Sequence, residues 1–463
     1  MDIKKIDEIK QFFAALIPEM ELNAVYADAI YYHDFSREIA ADKTAKEISS
    51  SEDAGIRLRA YDGEQFYEVA LTGFDKEKIT EAAKNLTKNI KKKNTFPLAI
   101  DTQKINKHFE AVGEIKPETI SLQDKITATT TLVETILKKE KKLINCRSRY
   151  EEAKELRIFV NKYKQLSQLI SSCLFVLAPY IKTAAGEVRY HYEAFFANGY
   201  EVKQKVTEQE LNKLVAMTQK IATAEKIIPG KYTCLFTPEL SGLLAHESFG
   251  HGMESDTIYK DRAKAKEFLG KPIAATFVNI LDNPSFPSRN GSFFFDDEGF
   301  ITSPTYLVKD GIVNLPITDS YSASRLKLPR SGNARAESYD HKLYARMSNT
   351  YFGPGKSKKE EMLKKIKNGF YLHYSSGGME DPKSWGIQIQ GIVAERISNG
   401  KLTGELFYEV GMTGYLPDLL KNIKEVSEEF EVPGTGTCGK GHKEWVRVSE
   451  GGPFMLVNEV NLS

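Results

Sequence analysis

Residues 54–72 read AGIRLRAYDGEQFYEVALT. Two runs of β-forming residues flank Asp62-Gly63, a dipeptide that supplies the positive φ a hairpin connection needs. An antiparallel strand pair is predicted here, and it sets the character of the first half of the chain. Further along come KLINCRSRYEE (142–152), ELRIFVNKY (155–163), LISSCLFVLAPYI (169–181) and GEVRYHYEAFFANG (186–199), all strand-like. Alternation is clearest in EVRYHYEAFF, which reads as one strand with a buried and a solvated face. Helical spacing of Ala and Leu predicts helices over 75–92, 122–142 and 208–224. The first half is therefore expected to be an α+β domain, an antiparallel sheet with a few helices packed on it.

The N-terminal MDIKKIDEIKQFFAALIPEMELN mixes acids and lysines every few residues. It lacks an apolar core followed by a small-residue cleavage site, so it reads as an amphipathic helix and not a signal peptide. A boundary is expected near IIPGKY, dividing the chain into domains 1–227 and 228–463. The second is rich in strands and turns, punctuated by Gly353-Pro354-Gly355, Gly377-Gly378 and Gly451-Gly452-Pro453. It is expected to be antiparallel and barrel-like, with one helix over 358–368 and another starting near Pro238.

Bulk properties exclude several functions. The chain has 463 residues, more than one core usually serves. Its 64 Lys and Arg balance 63 Asp and Glu, so the net charge of +1 gives no reason to expect a nucleic-acid or anionic-membrane partner. The basic run from Lys88 to Lys93 reads as a solvated helix end. No window approaches the roughly eighteen apolar residues a membrane span requires. The four cysteines, Cys146, Cys173, Cys234 and Cys438, are too sparse for a disulfide scaffold, and a cytoplasmic, reducing location is expected.

Chemistry concentrates in PELSGLLAHESFGHGMESD, residues 238–256. His246-Glu247-Ser248-Phe249-Gly250-His251 is H-E-x-x-x-H, one residue longer than the zincin H-E-x-x-H. On a regular α-helix, positions i and i+5 diverge by roughly 140°. The two histidines can share an ion only if the helix widens or ends between them, and a π-bulge would achieve this. Gly250 is the residue expected to tolerate the distortion. A catalytic zinc site needs a third protein ligand and one open position. Cys438, in EVPGTGTCGKGHKEW (431–445), is the best candidate, although no spacing joins it to the histidines. The same loop nearly matches the phosphate-binding G-x-x-x-x-G-K-[ST]. It fails where Gly441 replaces the hydroxyl, and HKEWVRV alternates like a strand instead of opening a helix.

The sequence resembles the TldD/PmbA family, long labelled modulators of DNA gyrase. HESFGHGMESD is similar to the family's H-E-x-x-x-H-G segment, and GTCGKGH to its C-terminal C-G-K loop. Further likenesses are SFFFDDEGF (292–300), SGNAR (331–335) and RMSNTYFGPG (346–355). The resemblance covers most of the chain and is strongest from Pro238 onward. In that family TldD-like chains carry the zinc motif and PmbA-like (TldE) chains have lost it. With His246, Glu247, His251 and Cys438 all retained, this chain resembles the catalytic kind. The resemblance implies a dimer, either with itself or with a PmbA/TldE-like subunit. It implies a zinc metallopeptidase with an enclosed site, acting on unfolded or short peptides. Glu247 is then the expected base, taking the proton of a zinc-activated water. The rival reading is a non-catalytic, zinc-containing regulatory subunit.

Asp296, Asp297 and Glu298 read as a turn capping backbone groups, or as carboxylates orienting the ligands. Glu254 and Asp256 carry the same two readings. His373 and His442 read as ordinary histidines.

Overall fold

The computed structural model describes residues 3–441 and 443–463. The predicted hairpin is present. Lys46–Tyr61 pairs antiparallel with Phe66–Thr72, and Asp62 Oδ1 accepts from the amides of Glu64 and Gln65 to shape the four-residue connection. Gly63 takes φ +102°, which only glycine adopts without strain.

Around this hairpin the first sheet is ordered Phe66–Thr72, Lys46–Tyr61, Tyr26–Ala41, Leu143–Asn161, Lys164–Lys182, Ile105–Ala111. Neighbours are antiparallel except Ile105–Ala111, which lies parallel to Lys164–Lys182. The stretches at 142–152 and 155–163 form one continuous strand. EVRYHYEAFF does not form one. It breaks at His191 and Tyr192 into Val188–Tyr190 and Glu193–Ala197, both paired to Lys164–Lys182.

The expected helices are Ile3–Glu21, Lys76–Thr87, Leu122–Lys139 and Glu208–Ala222. Asp75, Ser121 and Thr207 cap the last three, each side chain accepting from an orphan amide of the first turn. The sheet's two faces follow the period of two. Ala29, Tyr31, Ile56 and Leu58 pack under Phe13 and Ile17 of the first helix, whereas Ile30 and Tyr32 turn to Phe295 and Tyr339 of the second half.

The second half contains a closed ring of strands. Gly230–Phe236, Asn368–His373, Gly386–Ser398, Lys401–Tyr415 and Ser449–Leu462 pair in turn, and the last closes on the first. All pairings in the ring are antiparallel except that of Gly230–Phe236 with Asn368–His373. The ring's sheet continues outward through Asn349–Phe352, which lies parallel to Ser449–Leu462, to Ile280–Asp282 and Thr305–Lys309. The architecture is α+β, with a barrel in the strand-rich half.

The acidic cluster joins the two halves. Arg59, 2% exposed, pairs with Asp28 on the neighbouring strand and with Glu298 at 2.8 Å. Glu298 also accepts from the Ser320 amide at 2.7 Å, Asp296 from the amides of Phe300 and Ala334, and Asp297 from that of Ala336. These carboxylates cap backbone groups and bind arginines, which is the turn reading.

Candidate metal centre

The helix bearing the motif begins directly after the barrel strand Gly230–Phe236. Thr237 caps it, Pro238 occupies the first turn where no amide is missed, and the regular part runs Pro238–Ala245. Leu240, Leu244 and Ala245 bury one side in the barrel core. On another side Gly242 lies so close to Ser449–Leu462 that an added Cβ would come 2.1 Å from the Gly451 amide. The helix is thereby pinned to the strand.

The helix then widens as expected. His246–Gly250 form a π-turn, followed by a 3₁₀ turn over His251–Met253. The extra residue in the turn brings the two imidazoles together, with ring centroids 5.2 Å apart and planes at 89°. The role of Gly250 differs from the expectation. Its backbone, φ −65° and ψ −65°, is open to any residue. What excludes a side chain is Met347, whose sulfur would lie 1.8 Å from an added Cβ.

Cys438 arrives from the opposite end of the sequence on a small ribbon, Thr437–Cys438 paired with Val446–Arg447. Its Sγ lies 3.5 Å from Nε2 of His251, although the residues are 187 apart in sequence. One ligand-type atom from each of His246, His251 and Cys438 lies within 4.8 Å of the others. Burial pushes the Cys438 thiol up, but the two imidazoles outweigh it and bring it down to about 5. Burial lowers both histidines, but the sulfur, with Glu254 beside His251 and Glu247 beside His246, more than offsets this, so both are raised. Nδ1 of His246 is buried without a hydrogen-bond partner among the described residues. This donor set can hold a metal ion.

Glu247 is half-buried beside the two histidines, and its Cγ would lie 2.7 Å from a Cβ added at Gly378. Behind the centre stands a charge network that sequence reasoning left open or missed. The carboxylate of Glu254 lies 3.8 Å from Nδ1 of His251, 3.1 Å from Nε of Arg346 and 3.0 Å from Nζ of Lys440. Burial alone would raise Glu254, but Lys440, His251 and Arg346 hold it well below the usual carboxylate range. Asp256 touches Lys440 and Lys260, not the ligands. Arg346 also donates to the carbonyls of Cys438, at 2.8 Å, and Glu444. Its only signal in the sequence was its place in RMSNTYFGPG. Burial raises Glu380 to about 9, opposed by His251, and Glu239 to about 8, so both carboxyl groups are protonated and uncharged at neutral pH. His373 is buried on the barrel strand Asn368–His373, and His442 lies outside the described residues.

A cleft of about 460 Å³ runs between the two halves. Asp34, Glu155 and Arg157 line it from the first sheet, and Arg335, Thr437 and Trp445 from the second half. Thr437 brings it to the neighbour of Cys438.

A barrel-borne helix thus brings two histidines and a distant cysteine together in a candidate metal site. The family model of the PmbA/TldA metallopeptidase C-terminal domain matches residues 229–463. The chain belongs to the TldD/PmbA family. It is 26% identical over 419 residues to a metalloprotease of Methanocaldococcus jannaschii, covering 89% of this chain and 91% of that one. It is 30% identical over 282 residues to a zinc metalloprotease TldD homolog of Saccharolobus solfataricus, covering 60% of this chain and only 59% of that protein. Among solved structures, a putative modulator of a DNA gyrase from Thermotoga maritima shares the fold with a TM-score of 0.78 at 17% identity, covering 98% of this chain and 100% of that one. TldE from Thermococcus kodakarensis does so at 0.74 and 15%, with the same coverage.

Proposed function

We propose that this chain is a zinc-dependent peptidase in which His246, His251 and Cys438 hold the ion and Glu247 is the general base. The observation that carries the proposal is the convergence of two imidazoles and a thiol within 4.8 Å, from segments 187 residues apart, next to a carboxylate. The donors suit zinc: the thiol is acidic enough to be a thiolate at neutral pH, and Nδ1 of His246 is buried with no partner among the described residues. Three ligands with an adjacent glutamate favour catalysis over a closed structural site, which normally has four.

A zinc ion held there supplies Lewis acidity that polarises a scissile carbonyl and acidifies water. Glu247 takes the proton of the attacking water and returns it to the leaving amine. Glu254 holds His251 in orientation from behind, and Arg346 fixes the backbone that carries Cys438. The substrates are unfolded or short peptides, entering extended along the cleft, where strand edges can pair with their backbone. The units at work are domains 1–227 and 228–463, and the chain acts as a dimer with itself or with a TldE-like subunit. A cytoplasmic setting accords with four free, buried cysteines. Among the described residues no helix is long and apolar enough to cross a membrane.

Metal analysis of desalted protein, with a peptide-library digest before and after chelation, tests the reading. About one zinc per chain is expected, with cleavage abolished by chelator and restored by zinc. Cleavage indifferent to chelation removes the metal mechanism. Zinc without cleavage supports the regulatory-subunit reading instead.

A further inference from the structure

A second cluster of metal-ligating side chains stands apart from the proposed catalytic centre. Glu337, His341 and Glu444 bring two carboxylate oxygens and an imidazole nitrogen within 4.8 Å of one another. Both carboxylates approach the same nitrogen. Nδ1 of His341 is 3.3 Å from Oε2 of Glu337 and 3.3 Å from Oε2 of Glu444.

A simple ion triad accounts poorly for this arrangement. Nδ1 carries at most one hydrogen, which can point at one oxygen. Glu444 is only 5% exposed, and its other oxygen has Lys443 at 3.8 Å. Among the described residues neither guanidinium group reaching this corner pairs with Glu337 or Glu444, and Arg346 holds Glu254 instead. Arg57 donates to the carbonyls of Ser338, Tyr339 and His341, and Arg346 to that of Glu444. Two carboxylates therefore face one imidazole with little cationic compensation, an arrangement that is costly in a half-buried position.

The spacing suits a cation. Two ligands each about 2.0–2.1 Å from one ion, at tetrahedral angles, lie about 3.3–3.4 Å apart. The oxygen of Glu337 is already aimed, because the Trp445 amide donates to it at 2.9 Å. One imidazole with two carboxylates is a donor set for a divalent first-row ion.

We propose that Glu337, His341 and Glu444 form a second divalent-cation site. It clamps the loop that delivers Cys438. Glu444 follows Cys438 on that loop, and Arg346 grips the carbonyls of both. Glu337 and His341 lie on the segment that Arg57 fastens to the first sheet. An ion bound here joins the loop to the body of the protein. With two of its three ligands partly exposed, the site is weaker than the proposed catalytic one and fills only with excess metal.

The test is calorimetric titration of the metal-stripped full chain with zinc, with bound metal counted by elemental analysis. Wild type should take up two equivalents in two phases. Cys438→Ser should keep the weaker phase and His341→Ala the tighter one. Glu337→Gln, which keeps the size of a partly exposed side chain, should also lose the weaker phase and guards against misfolding of the His341 variant. Saturation of wild type at one equivalent under excess zinc overturns the proposal, as does a weaker phase that survives both His341→Ala and Glu337→Gln. Because the weaker phase is read in Cys438→Ser, its absence there is distinct from a failure of the catalytic-site reading, which appears as an unchanged tighter phase in that variant.

Discussion

Arg346 donates to the backbone carbonyl of Cys438 at 2.8 Å while its Nε holds Glu254 at 3.1 Å. One buried guanidinium thus sets the height of the thiol and the position of the carboxylate behind His251. Arg346→Lys keeps the charge but loses the planar fork that reaches both partners. The fold should survive, and zinc affinity should fall by about 10- to 100-fold, as for other groups that orient metal ligands. Competition against a chromogenic chelator measures it, and unchanged affinity would remove Arg346 from the account.

Cys438→Ser removes the thiolate and leaves a hydroxyl with almost no tendency to ionise. Zinc content after desalting should drop far below one per chain, and peptide hydrolysis with it. Elemental analysis is the check. Full retention of metal and activity would mean that another residue is the third ligand.

Gly250→Ala places a methyl where the sulfur of Met347 now lies. Overpacking of this kind costs about 1–3 kcal/mol. Chemical denaturation of the metal-free protein should show that loss, and Met347→Ala in the same chain should recover part of it. If instead Gly250→Ala is neutral, the turn has room that the contact denies.

His373 is 7% exposed, and Nε2 has no partner among the described residues. Burial, with His191, Lys220 and Lys359 adding to it, depresses this histidine to about 3 from an ordinary 6.5. The unfolded chain therefore binds a proton that the folded chain refuses between those values. Stability is unaffected above pH 6.5 and falls as the pH drops toward 3, by about 2–3 kcal/mol near pH 4.5. His373→Phe cannot titrate, so its stability should fall less over that window. Parallel curves for the two proteins, measured without metal, would contradict this.

Legibility in the sequence followed locality. The hairpin at 54–72, the capped helices and the widened turn at His246–Gly250 depend on residues a few positions apart, and all were read correctly. The strand Tyr26–Ala41, central to the first sheet, is not legible in the sequence pattern. YADAIYYHDFSREIAA carries charges that look solvated, yet Asp28 is buried against Arg59 and Arg37 meets Glu152. EVRYHYEAFF looked like one strand, but His191 turns onto Tyr374, with ring centroids 3.9 Å apart, and the Tyr192 hydroxyl donates to the Ser375 carbonyl. Cys438 was legible through the family resemblance, because nothing local marks a ligand 187 residues away. The Glu254, Arg346 and Lys440 network has the same character, since its members come from three segments far apart in sequence. At Gly250 the sequence suggests a need for backbone freedom, whereas what matters is the space beside it.

The central claim is that Glu247 moves a proton and does not hold the metal. Glu247→Gln keeps nearly the same size and can still hydrogen-bond, but it cannot accept a proton from water. The decisive measurement is peptide hydrolysis by this variant, with zinc counted in the same sample. Zinc should stay at the wild-type level while hydrolysis falls by at least about 10²- to 10⁴-fold. Hydrolysis at the wild-type rate would contradict the mechanism even with the metal in place.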